Sequence, residues 1–197
     1  MKEGYIVNDI LKQIKVWDLL VRIFHWSLVT AFIVAYVSED DFMTIHAYAG
    51  YLIMGLLVLR LVWGLIGTRH ARFSDFVRPP REVLAYLQDM MALRAKRYLG
   101  HNPAGGAMIV ALLVSLLLTA LTGLGAYGIE GSGPLAGWLS GASEFGKEAL
   151  EEVHEFFANF ALLLICIHVA GIILGSILHS ENLVRAMFTG TKQNSTE

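Results

Sequence analysis

The sequence predicts an all-α integral membrane protein: a four-helix transmembrane bundle with both termini cytoplasmic and short amphipathic helices on its surface. Three observations predict it. First, 55% of the 197 residues are apolar and only 16% are charged, which is too little charge for an ordinary soluble domain and fits one membrane domain. Second, four apolar stretches, about residues 17–37, 45–66, 104–127 and 154–178, are each long enough to cross a hydrocarbon core of about 30 Å. Third, the charges are sorted. Arg69, Arg72, Arg78, Arg81, Arg94, Lys96 and Arg97 lie between spans two and three, and Lys2, Lys12, Lys15, Arg185 and Lys192 lie near the termini. The opposite side carries Glu39, Asp40, Asp41, Glu130, Glu144, Glu148, Glu151 and Glu152, with Lys147 as its one base. The positive-inside rule therefore puts the termini and the basic loop in the cytoplasm.

Residues 1–16 form a cytoplasmic N-terminal segment. Tyr5, Ile6, Ile10, Leu11 and Ile14 recur at helical spacing between Lys12 and Lys15, which fits either a short headgroup-touching helix or a frayed tail. No cleavable signal peptide is expected, because the chain is polar up to Trp17 and the run that follows is long enough to span. Span one carries Asp18, Arg22 and His25 early, and Asp18 and Arg22 are spaced to pair on one face. Span two opens with His46, has Gly50 one turn on and Arg60 near its end. In the polar stretch 67–103, Pro79-Pro80 starts an amphipathic surface helix with Val83, Leu84, Leu87, Met90 and Met91 on one side, since proline's missing N–H costs nothing at a helix start. Span three has neither charge nor histidine. In the Gly- and Ser-rich loop 128–147, Leu135, Trp138 and Leu139 are placed to dip a short helix into the interface, where tryptophan is favoured. Span four follows a polar turn or two from Lys147. The single cysteine, Cys166, reads as a packed structural thiol, and there is no C-x-x-C-H for covalent haem attachment. Residues 180–197 form a cytoplasmic tail, so 17–179 is the membrane domain.

The chemistry lies in the histidines. His154 and His168 are fourteen residues apart in span four. At 100° per residue they fall within about 40° of one face, and they are separated by roughly 21 Å along the axis. Ionisable rings in a span face the bundle interior and mark function. Depth pairs the four. His25 lies roughly 12 Å and His168 roughly 15 Å in from the cytoplasmic edge, at 1.5 Å per residue, while His46 and His154 both lie near the outer edge. A four-helix bundle holds cofactors through side chains on facing helices. Two opposed histidines suit a six-coordinate haem iron, whereas zinc asks for four ligands around a point. Two non-covalent b-type haems, ligated by His25 with His168 and by His46 with His154, are the expected cofactors. His70, His101 and His179 fall in polar segments or at the exit of span four and read as non-ligands. Arg22 and Arg60 are placed to meet the propionates of the cytoplasmic-side haem; the competing reading is snorkelling to headgroups. Gly50 and Gly171 lie beside ligand histidines, where a missing side chain lets a porphyrin approach the backbone; the competing reading, for Gly171 and Gly175, is close helix packing.

Arg22-Ile-Phe-His25-Trp26, Ile45-His46-Ala-Tyr-Ala-Gly50, Arg60-Leu-Val-Trp63-Gly64-Leu-Ile-Gly67 and His154-Glu-Phe-Phe-Ala-Asn159 through His168 together resemble the prokaryotic cytochrome b561 family and its relative, the b-type cytochrome subunit of nickel–iron hydrogenases. The likeness covers about residues 15–188. It implies two b haems, with His25, His46, His154 and His168 matching the family's ligands, and electron traffic with the quinone pool; no distinct quinone motif is visible. The stretch from Trp63 to Phe76 looks most like members that serve a periplasmic partner such as a c-type cytochrome. The expected function is therefore a transmembrane electron carrier of the bacterial inner membrane, between quinone or quinol and a periplasmic redox protein. The alternatives are a membrane anchor accepting electrons from a hydrogenase, a stand-alone quinone reductase acting for example on superoxide, and a haem-free structural or transport protein. A homodimer is compatible with the sequence, and no nucleic-acid partner is expected.

Overall fold

In lipid, an apolar run can satisfy its backbone N–H and C=O groups internally only by coiling into a helix. The computed structural model describes residues 13–39 and 42–193. In chain order these form β1 (Gln13–Lys15), α1 (Leu19–Val37), α2 (Met43–Ile66), a 3-10 turn (Arg69–Ala71), α3 (Phe73–Phe76), α4 (Pro80–Met91), α5 (Pro103–Ile129), α6 (Ala136–Leu139), α7 (Glu144–Leu178), α8 (Leu183–Thr189) and β2 (Thr191–Gln193). Among the described residues four helices, α1, α2, α5 and α7, are long and apolar enough to cross a membrane. The chain is a multi-pass helical membrane protein.

Local chemistry sets where the helices begin. Asp18, Asn102, Ser143 and Asn182 each cap a helix by accepting a backbone N–H three residues on, which satisfies a donor that the first turn leaves free. Pro103 sits at the first position of α5. The cap at Ser143 carries α7 well past the expected span: 35 residues make a rod of roughly 52 Å at 1.5 Å each, against a core of about 30 Å. α7 therefore stands proud of the apolar slab at its N-terminal end, where its glutamates are.

α1 packs on α2, α2 on α5, and α5 on α7 along most of its length. The bundle centre is a buried apolar layer of Ala31 and Phe32 from α1, Ile53 and Leu57 from α2, Leu116 from α5 and Ala161 from α7. Ala161 is 0% exposed and lies seven residues from both His154 and His168. Ile53 lies seven from both His46 and Arg60, and Phe32 seven from His25. A seven-residue step returns to nearly the same face of a helix, so this layer separates two levels of polar side chains.

Both described ends of the chain meet at one end of the bundle, called here the terminal end. β1 pairs antiparallel with β2, Gln13 opposite Gln193, and the backbone N–H groups of Val16 and Trp17 donate to Gly190 O. Gly190 ends α8 with φ 82°, a left-handed conformation that glycine adopts without penalty. The other end, the hairpin end, is made of the α1–α2 turn and the loop around α6, where Trp138 is 88% exposed.

Three expectations need correction. Gln13–Lys15 is a strand held by the C-terminal segment, not part of a surface helix; Tyr5, Ile6, Ile10, Leu11 and Lys12 lie outside the described residues. Asp18 does not pair with Arg22. Its carboxylate caps α1 and accepts from Trp63 Nε1 at 3.0 Å and Thr68 Oγ1 at 2.5 Å, so the cap and a long-range tie take the place of an i,i+4 ion pair. Cys166 is exposed on α7 rather than packed in the core. The amphipathic helix after Pro79 is present as α4, with Leu84, Leu87 and Met91 exposed.

Candidate cofactor sites

At the hairpin end, α2 and α7 present His46 and His154 to each other. The ring centroids are 5.9 Å apart and the planes cross at 73°. Two imidazoles sharing one metal atom, with bonds of about 2 Å each, bring their centroids to roughly 6 Å, so the spacing fits one metal atom between them. His46 Nδ1 lies 2.9 Å from Ala35 O and His154 Nδ1 lies 2.8 Å from Thr119 O. A carbonyl only accepts, so in both rings Nδ1 carries the proton and Nε2 keeps its lone pair. A second hydrogen bond of this kind, fixing the tautomer of the ring, is typical of metal-ligating histidine.

α5 contributes what the sequence reading did not single out. A Cβ on Gly123 would lie 2.6 Å from Cε1 and 2.8 Å from Nδ1 of His154. The ring of His154 occupies the space a side chain would take, and from there its Nδ1 lies 2.8 Å from Thr119 O. No local signal marks Gly123, because its partner is on another helix.

At the terminal end, α1 brings His25 and α7 brings His168 near enough to interact electrostatically. Five side-chain polar atoms here are sealed from solvent without a partner: Arg22 Nε, His25 Nδ1, Trp26 Nε1, Arg60 Nη1 and His101 Nδ1. All come from groups able to donate, and unpaired buried donors cost free energy. They suit a ligand rich in acceptors, as a pair of carboxylates is. Arg22 also donates through Nη1 to Phe188 O, and Trp26 stacks on Phe188 with centroids 4.2 Å apart. The Arg60 guanidinium lies 5.0 Å from the Phe73 ring centroid and 5.8 Å from that of Phe76. It is buried rather than reaching outward to the bundle edge, which disfavours snorkelling. A Cβ on Gly50 or Gly171 would meet nothing within 4 Å, so neither glycine is required by helix packing in this chain. Among the described residues no three His, Cys, Asp or Glu side chains converge, so neither pair has the ligand set of a tetrahedral metal site. The hairpin-end pair fits a planar cofactor held by two histidines, and the terminal end, with its buried unpaired donors, fits one that also carries carboxylates.

The remaining histidines have other surroundings. His70 Nδ1 lies 2.9 Å from Asp75 Oδ2, and His179 ends α7. His101, just before α5, lies tilted against Trp17 at 4.4 Å and meets Phe76 edge-on at 4.9 Å. Burial first, then Arg60, Lys192, His168 and His70, push its pKa down to about 3. A base whose pKa is lower folded than unfolded contributes stability above the unfolded value, near 6.5, and loses it as pH falls toward the folded one. Between pH 7 and pH 5 the thermal unfolding midpoint of the detergent-solubilised protein is expected to fall by the equivalent of roughly 1–2 kcal/mol, and His101→Phe to flatten that dependence.

Comparisons with known proteins identify the family. The family model described as prokaryotic cytochrome b561 matches residues 16–190. A protein of Rhizobium leguminosarum bv. viciae named "Probable Ni/Fe-hydrogenase B-type cytochrome subunit" is 24% identical over 92% of this chain and 89% of its own length. Proteins with the same name from Bradyrhizobium diazoefficiens and Azotobacter vinelandii are 22% and 27% identical, covering 90% and 74% of this chain and 85% and 65% of theirs. No solved structure matches the chain. The match along 16–190 takes in all four spans and both histidine pairs, and the chain belongs to the prokaryotic cytochrome b561 family, a membrane b-type cytochrome of electron transfer.

Proposed function

We propose that the chain carries electrons across the bacterial inner membrane through two non-covalent b haems, between the quinone pool and a redox protein on the periplasmic side. When bound, each haem supplies a one-electron iron couple. In this reading His46 and His154 hold one haem near the periplasm, and His25 and His168 hold the other toward the cytoplasm. Arg22 and Arg60 meet the propionates of the second, and Gly50 and Gly171 lie against the porphyrins. The membrane domain is residues 17–179, flanked by cytoplasmic segments 1–16 and 180–197, so the terminal end faces the cytoplasm. The observation that carries the reading is the His46–His154 pair, 5.9 Å apart with both Nδ1–H groups spent on carbonyls.

The test is a reduced-minus-oxidised absorbance spectrum of the purified chain with a haem-to-protein ratio. About two haems per chain are expected, falling to about one in His154→Ala. A wild-type ratio near one, or no haem band, would sink the two-haem assignment.

The overhanging turns of α7 carry Glu144, Glu148, Glu151 and Glu152 beyond the apolar slab. Such a field steers a basic partner and raises its association rate. Electron exchange with a basic c-type cytochrome should therefore slow several-fold as salt rises from 0.05 to about 0.2 M, by screening; a salt-insensitive rate would remove the steering.

The names of the relatives favour a second reading, in which the periplasmic partner is a hydrogenase that this chain anchors. A gene for hydrogenase subunits beside this one, rather than one for a c-type cytochrome, would select it.

A further inference from the structure

We propose that α4 and the segment after it form a docking surface for anionic phospholipid, with an apolar stripe set among the acyl chains and Arg81 and Lys96 on the headgroup phosphates. The proposal stands apart from the cofactor reading, since none of its residues belongs to either histidine level.

The surface begins with spacing. Leu84, Leu87 and Met91 are three and four residues apart, so at about 100° per residue they share one face of α4. Tyr86 leaves the helix about 130° from the middle of that stripe. It is buried, meets Tyr98 edge-on at 5.7 Å and lies close to the Asn102 side chain. Tyr86 thus fastens α4 with the stripe turned outward: Leu84 is 61% exposed and Met91 84%. Because Asn102 caps α5, a spanning helix, the same contact fixes the level of α4. The helix lies at the edge of the apolar slab, where headgroup phosphates are. A helix with one apolar face and basic flanks rests there in the plane of the interface, its apolar side about 5–10 Å into the headgroup and acyl boundary.

Charge selects the headgroup. Between residues 67 and 103, seven arginines and lysines stand against three carboxylates, Asp75, Glu82 and Asp89. Two of those carboxylates are engaged, Asp75 by Arg69 at 3.5 Å and Asp89 by Arg94 at 2.9 Å. Arg81 and Lys96 are exposed and enter none of the ion pairs formed among the described residues. Arg81 precedes Leu84 by three residues, about 60° round the helix, and so borders the stripe at its start. Lys96 follows the buried Ala95 beyond the stripe's other end. Apolar surface between two uncommitted cations complements a lipid with apolar tails and a negative headgroup. Arg81 can hold two phosphate oxygens at once, and Lys96 adds a point charge. Phosphatidylcholine carries its own ammonium beside the phosphate, so it is drawn less strongly than a lipid with net negative charge.

The experiment reconstitutes the full chain in nanodiscs of equal parts phosphatidylcholine and phosphatidylglycerol, extracts it in mild detergent and counts the lipid that stays bound by mass spectrometry. Phosphatidylglycerol is expected to be retained several-fold over phosphatidylcholine. Arg81→Gln together with Lys96→Gln should bring the two lipids near parity. Lys147→Gln, which removes a cation at the hairpin end, should leave the preference intact. A second measurement does not depend on lipid surviving extraction: phosphatidylglycerol added to the detergent-solubilised protein should raise its unfolding midpoint more than phosphatidylcholine does, and the double variant should lose that difference. Equal retention of the two lipids by wild type, or a preference undiminished in the double variant, would overturn the proposal. A dimer in the bilayer that dissociates in Leu84→Gln would put a second copy of the chain on the stripe, and would overturn it too.

Discussion

Gly123→Ala is expected to cut the haem content from about two per chain toward one, with loss confined to the hairpin-end site. The added Cβ falls 2.6 Å from Cε1 of His154, well inside contact distance. Either the ring swings away from Thr119 O, losing the bond that fixes its tautomer, or α5 moves off α7, its most extensive neighbour. The sign of the effect separates this from helix chemistry. Alanine is about 1 kcal/mol better than glycine inside a helix, so if the ring did not need that space the variant would be as stable as wild type or more so. Gly55→Ala is the control, since a Cβ there meets nothing within 4 Å; it should keep both haems. Haem-to-protein ratios and thermal unfolding of the two variants check the prediction. A Gly123→Ala protein with full haem content would show that His154 does not depend on this gap.

Glu181→Ala is expected to unfasten the terminal end. Glu181 lies between Arg97, at 2.8 Å, and Lys192, at 3.4 Å. Its own side chain is 11% exposed and that of Lys192 only 5%. Burial lowers the pKa of Lys192 even with Glu181 beside it, so desolvation already outweighs the attraction. Removing the carboxylate leaves two cations facing each other in a poorly solvated place, and breaking a buried pair from one side costs about 3–5 kcal/mol. Since Lys192 lies on β2, the loss should free the C-terminal strand from β1. Faster proteolysis of the C-terminus and a lower unfolding midpoint would register it; Glu181→Gln, which keeps a polar partner, should fall between.

The helical frame was legible because lipid leaves a long apolar run few options, and hydropathy reports such runs directly. The depth pairing of the histidines was legible for a related reason: rise per residue is constant, so position in a span gives level in the bundle. His46 and His154 do meet, and His25 and His168 do lie near each other. Asp18 was misread because spacing alone favours the i,i+4 pair with Arg22, while the acceptors it serves include Trp63 and Thr68, 45 and 50 residues away. The polar turns expected from Lys147 begin about a turn earlier, at Glu144, because Ser143 caps the helix there. Gly123 was not singled out, and Trp26 and His101 were not given their observed contacts, for one reason. Each matters through a neighbour on another element, and no periodicity along one helix encodes that.

The apolar layer at mid-bundle sets the electrical character of the molecule. Phe32, Ile53, Leu57, Leu116 and Ala161 offer no side-chain group along which a proton could hop, while electrons tunnel through packed hydrocarbon over short distances. On the proposed two-haem reading, an electron crossing that barrier between the two levels travels uncompensated, and the transmembrane voltage acts on it at about 2.3 kcal/mol per 100 mV for a full crossing. Traffic along that proposed path would be coupled to the energised state of the membrane, with no moving part required.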